Sequence, residues 1–137
     1  MQADRRPSVQ LIHDNECEEL LRSHRWGRLA VQVVDHPEVF PLNYAMDGHR
    51  IVFRIDRGAK LASLRQNHIA SFQIDEVDEE QRCGWSVMAV GPISEAIDAG
   101  DIERLEGLGL ESWVTSESNH WMQLSPHRLS GRRLVQI

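Results

Sequence analysis

Between Trp26 and Asp56 the chain carries three short runs in which apolar and polar residues alternate, each bounded by turn residues. In the first, Leu29, Val31 and Val33 alternate with Arg28, Ala30 and Gln32. The second spans Glu38 to Ala45, and Pro41 inside it predicts an edge, a bulge or a bend, because proline gives the ladder no N–H. In the third, Arg50 to Asp56, Ile51, Phe53 and Ile55 share one face while Val52 and Arg54 share the other. Period-two alternation in short runs predicts strands. Asp35-His36-Pro37 turns the first run into the second, and Asp47-Gly48 is a hairpin signal between the second and third. Strands joined so tightly pair antiparallel, since a parallel crossover needs about a dozen residues or more.

The rest of the chain fits the same plan. Residues 1–10 read as a loose leader. Asp14 caps a helix over Cys17, Leu20 and Leu21, which Gly27 stops. Gly58 breaks the third strand, and Ala59 to Asn67 reads as a short helix with Leu61 and Leu64 inward. His68 to Asp75 is a fourth strand. The five acids between Asp75 and Glu80 read as a solvated turn, with no spacing that suits calcium. Gly84 to Ile97 is a long apolar strand bent at Gly91-Pro92. Asp98 to Asp101 caps a helix over Ile102 to Leu108, a polar loop runs through Glu117, and Trp121 to Leu124 and Leu129 to Ile137 close the chain. Many hairpin-linked strands with isolated helices predict a mainly β fold: one domain, residues 1–137, an antiparallel barrel decorated with peripheral α-helices.

Composition narrows the partners. The 137 residues hold 15 Lys and Arg against 21 Asp and Glu, a net charge of −6, which argues against broad contact with nucleic acid. The longest apolar run, near Val87 to Val90, is far short of the ~20 residues of a membrane helix. MQADRRPSVQ lacks the apolar core of a secretory signal, so the reading is cytoplasmic. Cys17 and Cys83 read as free thiols, since no CxxC pair or Cys/His spacing suggests zinc. Fourteen of the fifteen basic residues are Arg, and Lys60 is the single Lys.

Three segments could carry chemistry. In Phe53-Arg54-Ile55-Asp56-Arg57-Gly58-Ala59-Lys60-Leu61 a strand delivers Arg54 to its end, Gly58 allows a tight turn, and a helix opens with Lys60 in its first turn. Unpaired N–H groups and the positive dipole end attract phosphate there, and Arg54 and Lys60 can add charge-assisted hydrogen bonds. The plain alternative is a solvated helix start paired with Asp56. In Pro41-Leu42-Asn43-Tyr44 the missing proline N–H opens the ladder beside an Asn and the only Tyr, so a planar ligand could bind backbone groups; the alternative is an edge strand with a capping Asn. In Gly84-Trp85-Ser86-Val87, Trp85 could stack on a ring and Ser86 could hydrogen-bond it; otherwise Trp85, like Trp113 and Trp121, belongs to a core or subunit interface. His120 has no evident partner. Other chemistries find no support. The chain has no GxSxG elbow, its GLGLES run lacks the third glycine of a dinucleotide fingerprint, and its seven histidines show no HExxH.

Together these segments resemble the flavin-binding split-barrel proteins, the pyridoxamine 5′-phosphate oxidase-like family, and most of all its small bacterial members. The resemblance covers nearly the whole chain, through WGRLAV (Trp26 to Val31), PLNYAMDG (Pro41 to Gly48), IVFRIDRGAKL (Ile51 to Leu61), GWSVMAVG (Gly84 to Gly91) and SGRRL (Ser130 to Leu134). It implies a six-stranded antiparallel split β-barrel and a homodimer with FMN in two equivalent sites along the interface. By this resemblance Pro41, Leu42, Asn43 and Tyr44 line the flavin ring, Arg54, Ile55, Lys60 and Leu61 hold the ribityl phosphate, and Ser86, with Trp85 walling the pocket, reaches the flavin from a later strand.

Two departures matter. Family members often carry Thr or Ser where Ile55 and Ala59 stand, so two hydrogen bonds to phosphate are missing, each worth about 1 kcal/mol. The chain also looks short for a vitamin B6 oxidase and is not expected to take that substrate. The expected activity is an FMN-dependent oxidoreductase acting on a small molecule, with no catalytic acid or base from the protein and no metal. The alternatives are a non-catalytic flavin, deazaflavin or haem binding protein, or a structural dimer that has lost its cofactor.

Overall fold

A computed structural model describes residues 7–56, 58–66, 68–111 and 120–136. The elements are β1 (Pro7–Ile12), α1 (Asp14–Ser23), β2 (Trp26–Gln32), β3 (Pro37–Asn43), β4 (Ala45–Asp47), β5 (Arg50–Ile55), α2 (Ala59–Gln66), β6 (Ile69–Asp78), β7 (Cys83–Glu95), α3 (Ala99–Glu106), β8 (His120–Leu124) and β9 (Arg128–Gln136). All described pairings are antiparallel. The strands follow the order β3-β2-β6-β7-β8-β5-β4, with β9 pairing both β7 and β1.

β3 and β4 stand at opposite ends of that path yet follow one another in the chain, so Tyr44 between them closes the curled sheet into a split barrel. The seam is held at three points. Tyr44 N donates to Arg25 O over 2.9 Å, its hydroxyl donates to Leu21 O over 2.6 Å, and its ring meets Phe72 edge-on at 4.8 Å. Pro41 lies on the edge strand β3, where its missing N–H leaves no gap in a ladder.

The second closure is the bend in β7. Its first part pairs with β6 and β9, and residues Ile93 to Glu95 pair with β8 instead. The switch falls at Gly91-Pro92, where Ser125 N donates to Pro92 O over 3.0 Å. A Cβ on Gly91 would lie 2.0 Å from Ser125 O, so the crossing chain requires glycine.

The main core fills the barrel with Leu29, Ile51, Phe53, Phe72, Ile74, Val87 and Leu124, all essentially without solvent access. A second cluster of Val52, Ala96, Leu105 and Trp121 lies outside the β5–β8 leaf, under α3. β5 is therefore covered on both faces at Val52, which explains why Val52 is apolar and buried on the face that it shares with Arg50 and Arg54.

Four expectations are corrected. Residues 1–10 are not all leader: Pro7–Ile12 form β1, paired with β9 through Ile12↔Gly131, because Gly131 lets Ile12 and Cys17 approach its bare Cα. α1 ends at Ser23, ahead of Gly27, and is preceded by His13 without a side-chain cap; Gly27 instead makes room in β2 for the Phe72 ring. Among the described residues nine strands form rather than six, because the chain kinks at Tyr44 and β1 and β9 add a flank. Asp98 caps α3, accepting from Asp101 N, and the helix opens at Ala99 rather than Ile102 and ends at Glu106. Trp113 and the loop through Glu117 lie outside the described residues.

Candidate functional site

The junction of β5 and α2 places Arg54 at the strand end and Gly58 at φ 142° ahead of the helix. Only glycine adopts that φ without strain. α2 opens with no acid in its first turn, and its first intrahelical bond runs from Ala62 N to Gly58 O, so the N–H groups before Ala62 have no partner within the helix. Arg54 lies with its guanidinium 4.4 Å from the Trp121 ring centroid, the cross-strand neighbour in register. Its Nε is buried with no hydrogen-bond partner, and so is Asp56 Oδ1. One is a donor lacking an acceptor, and the other is an acceptor lacking a donor. Each such buried atom costs about 1–3 kcal/mol.

Ile55 and Leu61 are buried in the main core, so they can serve a ligand here only through their backbone. Lys60 is in the first turn of α2; its side chain is outside the described residues. On the core side of the same strand end, His120 is paired after all: its Nδ1 lies 2.8 Å from Glu95 Oε2, and Arg65 donates to Glu95 Oε1 over 2.8 Å. Burial alone would raise the Glu95 carboxyl, but His120 and Arg65 hold it below its ordinary range. The sequence could not reveal this trio, because three separate elements supply it.

The 41–44 strand splits its residues between two environments. Leu42 is buried in the core and Tyr44 is the closing residue of the seam, its phenol pushed up by burial. Pro41 and Asn43 face outward, opposite Arg28 and Trp26 on β2. Asn43 Nδ2 donates to Glu111 O. Ser86 belongs to the same outer face: it sits opposite Asp75 of β6 and Arg132 of β9. Beside it, Asp75 accepts from Gln73 and Arg28, which hold its carboxyl below the usual range against the opposing effect of burial. Trp85 points to the inner face, half-buried and edge-on to His24 at 4.9 Å; His24 Nε2 is 3.1 Å from Glu76 Oε1.

The structure thus brings Pro41, Asn43 and Ser86 onto one sheet face, sets Arg54 on the outer face of the neighbouring leaf, and turns Leu42, Tyr44, Ile55 and Leu61 inward. Sequence reading missed a cavity of ≈ 700 Å³ along the seam, bounded by Arg22 of α1, His24 and Arg25 just after it, Trp26, Asn43 to Met46, and Leu108 to Glu111. That size suits a small organic molecule. The charge of Arg22 and Arg25 was visible in the sequence, but nothing there told that residues 108–111 fold back across them. Among the described residues no cluster of His, Cys, Asp and Glu could hold a metal, and no helix is long and apolar enough to cross a membrane.

Comparison with known proteins adds the following. The family model for pyridoxamine 5′-phosphate oxidase matches residues 13–133. Among solved structures, a Corynebacterium glutamicum protein provisionally named a pyridoxamine 5′-phosphate oxidase superposes with a TM-score of 0.82 at 27% identity, over 93% of this chain and 99% of that one. The FAD-binding protein of Mycobacterium smegmatis gives 0.77 at 29% identity, over 90% and 98%. An FAD-binding protein from Mesorhizobium loti gives 0.81 at 26% identity, over 94% and 98%.

Proposed function

This chain belongs to the pyridoxamine 5′-phosphate oxidase family, and on that premise we propose that it is a flavin-dependent oxidoreductase holding FMN by its phosphate at the β5–α2 junction. The observation that carries the reading is the pair of buried, unpartnered atoms there, Arg54 Nε and Asp56 Oδ1. FMN has a partner for each: a phosphate oxygen to accept from Arg54, and a ribityl hydroxyl to donate to Asp56. The N–H groups at the start of α2, which have no partner within the helix, and the Lys60 charge would hold the same phosphate. Asn43, with Pro41 beside it, would receive the ring at the seam, and Ser86 would reach it along the shared sheet face. When bound, the flavin supplies the hydride chemistry; the protein supplies binding, orientation and water exclusion.

FAD is the second reading of the cofactor, favoured by the two relatives named for it. The proposal includes a homodimer. Ala30, Met88 and Val90 lie half-buried on the sheet face that also carries Asn43 and Ser86, and a second copy covering that face would complete the wall of the site. Purified, desalted protein should carry or take up flavin, with absorption near ~375 and ~450 nm, and sediment at twice 15.7 kDa. Bleaching of the longer-wavelength band by a nicotinamide donor without oxygen, and its return with an acceptor, is the expected result for an oxidoreductase. Uptake without bleaching by any donor would leave a carrier instead.

A further inference from the structure

We propose, resting on the flavin reading of the β5–α2 junction, that Glu95 is a positioning residue for the phosphate site, joining Arg65 of α2 to His120 of β8 so that the helix start and Arg54 meet one phosphate. Both Glu95 oxygens are engaged. Oε1 accepts from Arg65 twice, from Nε over 3.0 Å and from Nη2 over 2.8 Å. Oε2 lies 2.8 Å from His120 Nδ1, which carries the proton of that bond because an ionised carboxylate only accepts. Glu95 ends β7 and pairs in register with Met122 of β8. His120 opens β8 opposite Ile55, and its neighbour Trp121 lies opposite Arg54. The far end of α2 is thereby tied to the strand pair that carries Arg54.

α2 needs such a tie. Eight residues are too few to hold a helix in water, so packing decides where this one lies. Its entry from β5 runs through Gly58, the residue type with the widest choice of backbone directions, so the strand does not by itself aim the helix. Leu61 and Leu64 seat one side on the core. Apolar contacts are non-directional, whereas the two-donor contact of Arg65 with Glu95 is charged and directional. Ala59 lies about 9 Å along the axis from Arg65. A tilt of about 10° about Arg65 therefore moves the first N–H groups by about 1.5 Å, enough to break a hydrogen bond of about 2.9 Å.

The test titrates the full chain with FMN and with riboflavin, in wild type, Arg65→Ala, Arg65→Lys, Glu95→Gln and the Arg65→Ala/Glu95→Gln double variant. The Arg65 side chain is half exposed, so its variants leave the core intact. The expected result is a loss of FMN affinity of at least about fivefold in both Arg65→Ala and Glu95→Gln, with riboflavin affinity unchanged. Arg65→Lys recovers part of the loss, and the double variant loses no more than either single one. The sign in Glu95→Gln separates a tie from a field. Acting through its charge alone, a lost carboxylate would tighten the binding of phosphate, whereas a lost tie weakens it. Hydrogen exchange on the flavin-free chain reads the tie directly: α2 amides should exchange faster in both single variants, with β6 unchanged. FMN affinity unaltered or tightened in Glu95→Gln, additive losses in the double variant, equal losses for FMN and riboflavin, or unaltered α2 exchange would overturn the role. Failure of the flavin reading shows separately, as wild-type affinity for FMN no higher than for riboflavin, and it takes this role with it.

Discussion

Arg54→Ala is expected to weaken FMN binding by about 1.5–3 kcal/mol, at least roughly tenfold, while the flavin-free protein keeps its fold. The two halves of that expectation have one physical source. In the free chain the Arg54 Nε is buried without a partner, so removing it also removes an unmet donor. What the free protein loses is the contact with Trp121, about 0.5–1 kcal/mol for a cation over an aromatic ring. The complex loses a charge-assisted bond to phosphate as well. Flavin fluorescence quenching and urea denaturation read the two effects apart. Arg54→Lys should recover only part of the affinity, because a point charge lacks the fork that could meet two phosphate oxygens. Equal FMN affinity in wild type and Arg54→Ala would remove Arg54 from the site.

Gly91→Ala is expected to be the most damaging single substitution in the barrel, destabilising by at least about 3 kcal/mol or preventing folding. An added Cβ meets Ser125 O at 2.0 Å, Ser125 C at 2.8 Å and the Pro126 Cα at 2.9 Å. All three are backbone atoms, so no rotamer change relieves the clash. The neighbouring bonds, Ser125 N to Pro92 O and His127 N to Val90 O, tie the crossing chain to the bend from both sides and prevent it from moving away. By contrast Gly48→Ala meets no atom within 4 Å and is strained only through its φ of 61°, so it should cost far less. Urea midpoints of the two variants give the comparison. A Gly91→Ala protein as stable as Gly48→Ala would mean that β7 does not cross the chain there as described.

Much of this arrangement was legible in the sequence because local rules decide it. The alternation in β2 and β5, the Asp47-Gly48 hairpin, the Asp98 cap and the bend at Gly91-Pro92 all rest on residues within a few positions of one another. The junction of β5 and α2 was legible for the same reason: strand, glycine and helix start are contiguous. The errors lie where distant segments meet. β1 looked like leader because six residues of edge strand carry little pattern without their partner β9. Gly27 looked like a helix stop, and its close packing against Phe72 could not be read from the chain. The bond from the Tyr44 hydroxyl to Leu21 O at the barrel seam could not be read from the chain either. The cavity and the Glu95–His120–Arg65 trio were invisible for the same cause: residues that form them come from three or more elements.

The central claim is that a flavin is held here chiefly by its phosphate, at the end of β5. The most direct test is a titration of the purified, flavin-free chain with FMN and, in parallel, with riboflavin, which differs only in lacking that phosphate. The account predicts FMN binding at least about tenfold tighter than riboflavin, the worth of one or more charge-assisted bonds. Equal affinities, or no uptake of either, would contradict it.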